Sequence, residues 1–283
     1  MKIQHLGKAV IFVGMLIGNT PVQAATVFSG AGDAAAVAFE QMKEAIGGAD
    51  NTLALGPQEG GFRTINWDGV PVNGTVGIPE DLFLGRGALY DEIYFVSDDG
   101  FESVNPSVAG QFPAFSPPVT FAHIGEGNNQ NEIEQSFTLA GTFTTAATRG
   151  FGAIFLDVEL PETSSIEYFS GSKSLGKFFV EPSASGEPSF LGVLFDKPMV
   201  TSVELILGNG SIFDINGEIP VLTPIVDFIP GQVDDPMNGV DLVVTDDFLF
   251  AEPETVPEPS SIVGLLVVIL PVLRGCSKKG FFR

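Results

Sequence analysis

Cysteine and histidine are nearly absent from this chain of 283 residues, and their scarcity removes several kinds of chemistry at once. The one cysteine, Cys276, lies close to the C-terminus, and the only histidines are His5 and His123. A disulfide framework, a thiolate metal site and a cysteine nucleophile are therefore excluded from the body of the chain. Zinc binding lacks ligands for the same reason. Stability must come from a buried core, which about 230 residues are enough to form.

Positive charge is scarce as well. Residues 26–258 contain all 35 acidic residues but only seven of the 13 basic ones, which gives this segment a formal charge of −28. Binding to nucleic acid needs clustered Lys and Arg, so nucleic acid is excluded as a partner. A body this acidic should be soluble and attract cations. The chain has 25 Phe, one Trp and three Tyr, an apolar content that argues against disorder.

The first 25 residues have the organisation of a secretory signal peptide. Lys2 and Lys8 give a charged start, residues 9–17 form an apolar core, and small residues precede a cleavage point between Ala24 and Ala25. An uncleaved membrane anchor is the alternative. We expect this segment to stand apart from the folded body as helix or disorder.

The C-terminal segment has three parts with different properties. Two prolines fix φ in Val256-Pro257-Glu258-Pro259, so this motif should be extended and accessible. Residues 262–273 are mostly Val, Leu and Ile, and the tail beyond them carries four cations and no acid, which the positive-inside rule keeps on the cytoplasmic side. Only 15 residues run from Ile262 to Cys276, fewer than the roughly 20 of a membrane span. This favours a transient handle over a permanent tail anchor.

This three-part end resembles the PEP-CTERM sorting signal of exported proteins in Gram-negative, biofilm-forming bacteria. In that family a membrane-embedded exosortase recognises the Pro-Glu-Pro motif, which is Pro257-Glu258-Pro259 here. The resemblance implies that exosortase is a partner and cuts near the motif, and that the apolar helix inserts into the membrane transiently. It further implies export across the inner membrane to the cell envelope, cell surface or extracellular matrix.

The body between these ends is predicted to be all-β with one helix. Residues 33–46 have helical apolar spacing, with Asp33 as a candidate cap and Gly47-Gly48 as a stop. Apolar stretches then recur about every ten residues between turn formers, which is typical of an antiparallel β-sandwich or jelly roll. The predicted strands are 62–71, 92–97, 100–104, 118–124, 133–139, 150–160, 165–170, 174–180, 190–195, 200–207 and 240–250. The expected division is signal peptide 1–25, body 26–252, linker 253–261, and hydrophobic helix with basic tail 262–283.

The order of the body segments is similar to that of β-sandwich bodies that accompany PEP-CTERM tails. A helix precedes Ile65-Asn-Trp-Asp-Gly-Val-Pro, and the later segments are Gly150-Phe-Gly-Ala-Ile-Phe-Leu-Asp-Val, Ile166-Glu-Tyr-Phe, Phe190-Leu-Gly-Val and Asp246-Asp-Phe-Leu-Phe. The resemblance implies a galactose-binding-like fold. It implies no activity, because fold does not determine function.

Residues that could carry catalysis are few and unspecific. His123 could serve a catalytic relay, but no Gly-x-Ser-x-Gly elbow accompanies it, and we expect it to end a strand as a satisfied polar residue. A glycosidase needs two acids about 5 to 10 Å apart, for which Asp157 with Glu167 or Asp246 with Asp247 are candidates. Trp67 could stack on a sugar, although a lone Trp in an alternating strand is more often core. We therefore predict no catalytic residues.

Two loops are dense in oxygen ligands that suit calcium. They are Asp214-Ile-Asn216-Gly217 and the segment from Asp234-Asp235 to Asp241, and neither has EF-hand spacing. Asp and Asn also form turns without any ion, which is the stronger interpretation. No cofactor is expected, with calcium as the alternative.

The function that follows is a non-enzymatic exported protein, associated with exopolysaccharide in a biofilm. A carbohydrate-binding module and a secreted glycan hydrolase with paired carboxylates are the alternatives.

Overall fold

The computed structural model of the chain describes residues 12–13, 24–122, 131–217 and 221–256. Within these ranges there are 18 strands, one α-helix and three 3-10 turns. The strands in chain order are β1 Phe12–Val13, β2 Ala25–Ala31, β3 Phe62–Ile65, β4 Thr75–Ile78, β5 Ala88–Tyr90, β6 Tyr94–Ser97, β7 Thr120–Ala122, β8 Glu132–Phe137, β9 Ala146–Ala147, β10 Gly150–Leu156, β11 Ser165–Ser170, β12 Lys173–Phe179, β13 Pro188–Phe195, β14 Ser202–Ile206, β15 Phe213–Ile215, β16 Phe228–Pro230, β17 Val244–Ala251 and β18 Glu254–Thr255. The helix α1 is Asp33–Ile46, and the 3-10 turns are Leu84–Arg86, Pro106–Val108 and Pro236–Asn238.

Two antiparallel sheets carry most of these strands, as expected for an all-β sandwich. The large sheet has the order β1-β2-β13-β10-β17-β7-β6-β4, with β3 also paired to β17. The small sheet has the order β12-β11-β14-β8-β5. Two separate two-stranded ladders are formed by β15 with β16 and by β9 with β18.

The large sheet is buried on both faces. One face meets the small sheet through a core that includes Trp67, Phe151 and Phe248. The opposite face is covered by α1, by the turn that contains Phe101 and by the segment that contains Phe213. Double burial explains why β10 is an uninterrupted apolar strand with every residue buried, instead of an alternating one.

The helix lies against this sheet because two glycines make room for it. Ala35, Phe39, Met42 and Ile46 form its buried stripe, at the spacing of an amphipathic helix. Gly152 on β10 is directly paired with Gly192 on β13. A Cβ at Gly192 would lie only 2.3 Å from Met42 Sδ. This glycine pair is therefore a socket for the methionine.

The predicted helix is confirmed over its whole length, but its cap differs. The N-cap is Gly32, without a side-chain hydrogen bond, and Asp33 is instead an acid of the first helical turn, where it favours the helix dipole. Gly47 ends the helix, as predicted, in a positive-φ conformation, and its N–H donates to Lys43 O.

Several predicted strands are shorter than expected because the backbone reverses at residues with positive φ. The strand at 62–71 ends at Ile65, shortly before Trp67, and the strand at 150–160 ends at Leu156, directly before Asp157. Residues 100–104 form a turn with positive φ at Phe101, so the predicted strand there is wrong. Neither Trp nor Phe favours positive φ, and their tertiary contacts impose it.

The body also extends beyond its predicted limits at both ends. Phe12–Val13 pairs with Val27 and Thr26, so these two residues of the predicted signal peptide do not stand apart. At the other end, Glu254–Thr255 pairs with Ala146–Ala147, which places the start of the predicted linker in the fold. Residues 262–283 lie outside the described part.

Candidate functional site

Asp246 and Asp247, which we call the acid pair, lie next to each other because of a β-bulge. The β10–β17 register runs from Ala153 opposite Phe248 to Phe155 opposite Thr245. Two residues of β17, the acid pair, therefore face one residue of β10. Strict alternation would send adjacent side chains to opposite faces, whereas the bulge lets both reach one hydroxyl: Ser116 Oγ donates to Asp246 Oδ1 at 3.3 Å and also to Asp247 Oδ1.

The acid pair holds a proton. Asp246 is fully buried, and its Oδ2 accepts from the backbone N–H groups of Phe115 and Ser116. Burial, followed by the charge and the hydrogen bond of Asp247, raises the pKa of Asp246 to about 9. Burial also raises the pKa of Asp247. The charge of Asp68 raises this pKa further, and the charge of Lys43 lowers it. Asp246 is therefore the protonated partner that donates to Asp247.

This arrangement does not match a glycosidase. Carboxyl groups that hydrogen-bond directly are closer together than the 5 Å or more that retaining and inverting mechanisms require. The remaining acceptor capacity of Asp246 is used by backbone amides, so it fixes residues 115–116 against β17.

A second group, the acid cluster, consists of Asp157, Glu159 and Asp234. One carboxylate oxygen from each lies within 4.8 Å of the others. Asp157 is buried at the end of β10 and accepts from Gly186 N–H and Gln111 Nε2. Asp234 Oδ1 accepts from Leu242 N–H at 2.8 Å.

Burial, reinforced by neighbouring negative charge, raises the pKa values of all three acids of the cluster. The pKa of Glu159 is raised to about 7 by burial, by its hydrogen bond to Asp234, and by the charges of Asp157, Asp234 and Asp241. Burial is also the main cause of the raised pKa values of Asp157 and Asp234. Three hard oxygen ligands suit calcium, whose binding would displace the proton of Glu159. The prediction is still that no cofactor binds, with calcium as its alternative.

The structure separates the other carboxylates that the sequence singled out. Glu167 is not with Asp157 but forms an ion pair with Lys177 at 3.4 Å on the small sheet. Asp214 Oδ1 accepts from the neighbouring Ile215 N–H at 2.7 Å. Asp235 caps the 3-10 turn that follows it by accepting from Asn238 N–H. Asp235 therefore acts as a turn former, whereas Asp214 lies in strand β15, opposite Ile229.

Trp67 is core, as predicted, and provides no sugar platform. It is 1% exposed, stacks on Phe121 at a centroid distance of 3.8 Å, and donates from Nε1 to Asp246 O at 2.7 Å. His123 and Pro257-Glu258-Pro259 lie outside the described residues. The flanking processing positions are described: Ala24 and Val256 are exposed, and Ala25 begins β2.

A buried ion pair closes the body next to its C-terminal exit. Arg63 and Glu252 are both fully buried, and Arg63 Nε and Nη2 donate to the two carboxylate oxygens at 2.7 and 2.9 Å. Glu252 also accepts from Asn51 Nδ2 and Gln58 N–H, both at 3.0 Å. All of these groups are satisfied, so the pair is structural.

Two features were missed from the sequence. Glu159 was not singled out, although it follows Asp157 by two residues. An exposed apolar groove around Leu53 and Leu55 was missed as well, and its only sequence signal is a pair of leucines inside a loop otherwise rich in Gly, Pro and polar residues.

No model of a known protein family matches the chain, and no curated protein matches it either. None of the helices in the described ranges is long and apolar enough to cross a membrane.

Proposed function

We propose that the chain is an exported, non-enzymatic protein of the cell surface or extracellular matrix, sorted by an exosortase through a PEP-CTERM signal. One observation supports the proposal: in sequence, the expected processing points lie directly before β2 and shortly after β18. β2 begins at Ala25 and pairs with Phe195 at that residue, and β18 ends at Thr255, which pairs with Ala146. Cleavage after Ala24 and near Pro259 would leave these ladders intact.

Removal of the leader would cost the body little. It would remove the two-residue strand β1, whereas β2 would keep its seven paired residues on β13.

The state of the buried acids supports a protein that works by adhesion instead of catalysis. In both the acid pair and the acid cluster, carboxylate oxygens accept hydrogen bonds from loop backbone groups. Those bonds fix loops, and a reacting substrate would have to displace them. We infer that exopolysaccharide is the partner, bound at the outer surface of the sandwich.

The finer fold proposal is a jelly roll of the galactose-binding-like kind. It is supported by the neighbours in both sheets, which are mostly non-consecutive in sequence, since a jelly roll needs such crossovers.

The sorting proposal is tested by measuring the intact mass of the extracellular protein that the native host releases. The expected mass is that of a chain starting at Ala25 and ending near Pro259. Glu258→Gln with Pro259→Ala should leave the tail attached, and Glu254→Gln, an exposed acid outside the motif, is the matched control. Recovery of an extracellular chain that still ends at Arg283 would overturn the proposal. A polysaccharide pull-down with the recovered protein tests the partner.

A further inference from the structure

The surface next to the C-terminal exit is an exposed apolar groove of about 350 Å³. Its rim includes Leu53, Leu55, Leu82 and Leu222, with Phe83 below them. Leu53 and Leu55 are 86% and 92% exposed. Large apolar side chains grouped at a groove mark a binding surface more often than scattered ones do.

Leu55, the most exposed of these leucines, is held in place and does not sit on a loose loop. Arg63 Nη1 donates to Ala54 O at 3.0 Å, and Arg63 Nη2 donates to Gly56 O at 2.7 Å. The backbone on both sides of Leu55 is therefore fixed by a fully buried guanidinium, while the side chain points to solvent.

The same guanidinium places the chain exit beside this groove. Arg63 Nη2 also donates to Glu252, and the next residue, Pro253, packs against Gly87, which follows the groove residues Gly85 and Arg86. From Val256 to Ile262 the chain spans six residues, which extend to about 20 Å at most. The last strand ends at Thr255 opposite Ala146, and Gly141 in the loop before Ala146 donates to Leu84 O, between the groove residues Phe83 and Gly85, so the start of the apolar run can reach the groove.

The charge beyond the groove matches the order of residues in the tail. A second hollow of about 370 Å³ is lined by Glu80 and Asp81, together with Phe143 and Val221. Asp81 precedes Leu82 and Val221 precedes Leu222, so the hollow continues the groove. In the tail, the apolar run is likewise followed by four cations, Arg274, Lys278, Lys279 and Arg283.

We propose that, while the chain still carries its tail, the groove takes up apolar side chains of the run at 262–273 and the acidic hollow binds the basic end. The body thereby shields part of its own hydrophobic segment from water before that segment enters a membrane. The inference needs only that the tail is present, so it stands whether or not an exosortase later removes it.

The sole cysteine allows a direct test on the full chain, with its intact mass verified. Cys276 lies between Arg274 and Lys278 and is labelled with a photo-activated cross-linker, in detergent-free buffer. We expect a monomer with cross-links inside one chain, concentrated at the hollow around Asp81, Phe143 and Val221. A chain that is monomeric only with detergent, cross-links between two chains, or cross-links scattered over the body would each overturn the proposal.

Substitutions in the groove separate binding from folding. Leu53→Gln with Leu55→Gln should lower the cross-linking yield by roughly tenfold, since two leucines lose their apolar contact. Asp81→Lys should lower the yield by charge repulsion without touching the leucines. The matched control is Val226→Gln with Met237→Gln, whose side chains are 87% and 97% exposed and do not line either hollow. The proposal would be refuted if the cross-linking yield were unchanged both in the Leu53→Gln/Leu55→Gln variant and in Asp81→Lys, with the melting temperature also unchanged.

Discussion

Replacing Asp246 with asparagine isolates the effect of one buried proton on the stability of the body. Asp246 is fully buried, and its pKa in the folded chain is about 9. In the unfolded chain an aspartate releases its proton near pH 4. Between these values the folded chain holds a proton that the unfolded chain has lost, so the free energy of unfolding falls as the pH rises.

The size of the effect follows from the proton count. One bound proton changes the free energy of unfolding by about 1.4 kcal/mol per pH unit, so the wild type loses up to about 4 kcal/mol between about pH 5 and about pH 8. Asparagine keeps both roles of the protonated acid: its oxygen accepts from Phe115 and Ser116, and its NH₂ donates to Asp247. The variant should lack this pH dependence because its amide does not titrate.

Urea denaturation measured over this pH range, followed by the fluorescence of Trp67, provides the assay. Wild type and Asp246→Asn should have similar stability at about pH 5, and the variant should be more stable by about 2–4 kcal/mol at about pH 8. Glu102→Gln, which replaces an exposed acid, is the control and should follow the wild type. Parallel pH profiles for wild type and Asp246→Asn would refute the assignment of a buried proton to this pair.

Two further substitutions test the packing of the body. Arg63→Met should cost about 3–5 kcal/mol in denaturant titrations because it leaves the Glu252 carboxylate buried and unpaired, and adding Glu252→Leu should restore at least half of this loss. If the double variant is no more stable than Arg63→Met alone, the unpaired Glu252 carboxylate is not the cause of the stability loss. Gly192→Ala should cost about 1–3 kcal/mol by pushing on Met42, and Met42→Ala should cost much less in that background than in the wild type. If the stability losses of the two substitutions simply add in this double-mutant cycle, Met42 does not pack against Gly192 as described.

Local signals were sufficient for α1 but insufficient for the acid sites. The helix followed from its spacing and from Gly47, both of which act within a few residues. The pairing of Asp246 with Asp247 depends on a register shift opposite β10, which local sequence does not specify. An Asp-Asp step inside an apolar strand does break the alternation, and that break is a usable signal for a bulge.

Tertiary contacts also decided where the predicted strands ended. Trp67 alternates correctly with its neighbours, yet its backbone has positive φ, because its ring stacks on Phe121 with Phe83 and Phe248 edge-on to it, while Nε1 reaches Asp246 O. The acid cluster joins segments that are distant in sequence. Only Asp157 and Asp234 were therefore named from the sequence, Asp157 as a candidate glycosidase acid and Asp234 as part of a candidate calcium loop. The exposed state of Leu53 and Leu55 follows from Arg63, which lies outside their loop.

The buried carboxylates explain how a body without cysteine can hold its long loops. Asp246 accepts from residues 115–116, Asp157 from Gly186, Asp241 from Glu159 and Leu160, and Glu252 from Gln58. Each bond joins segments far apart in sequence, as a disulfide would. A buried acceptor that loses its donors is costly, whether its carboxyl group is charged or, like that of Asp246, protonated. In this acidic chain the buried carboxylates therefore fix loops to the sheets, and they withstand a reducing environment that would open a disulfide.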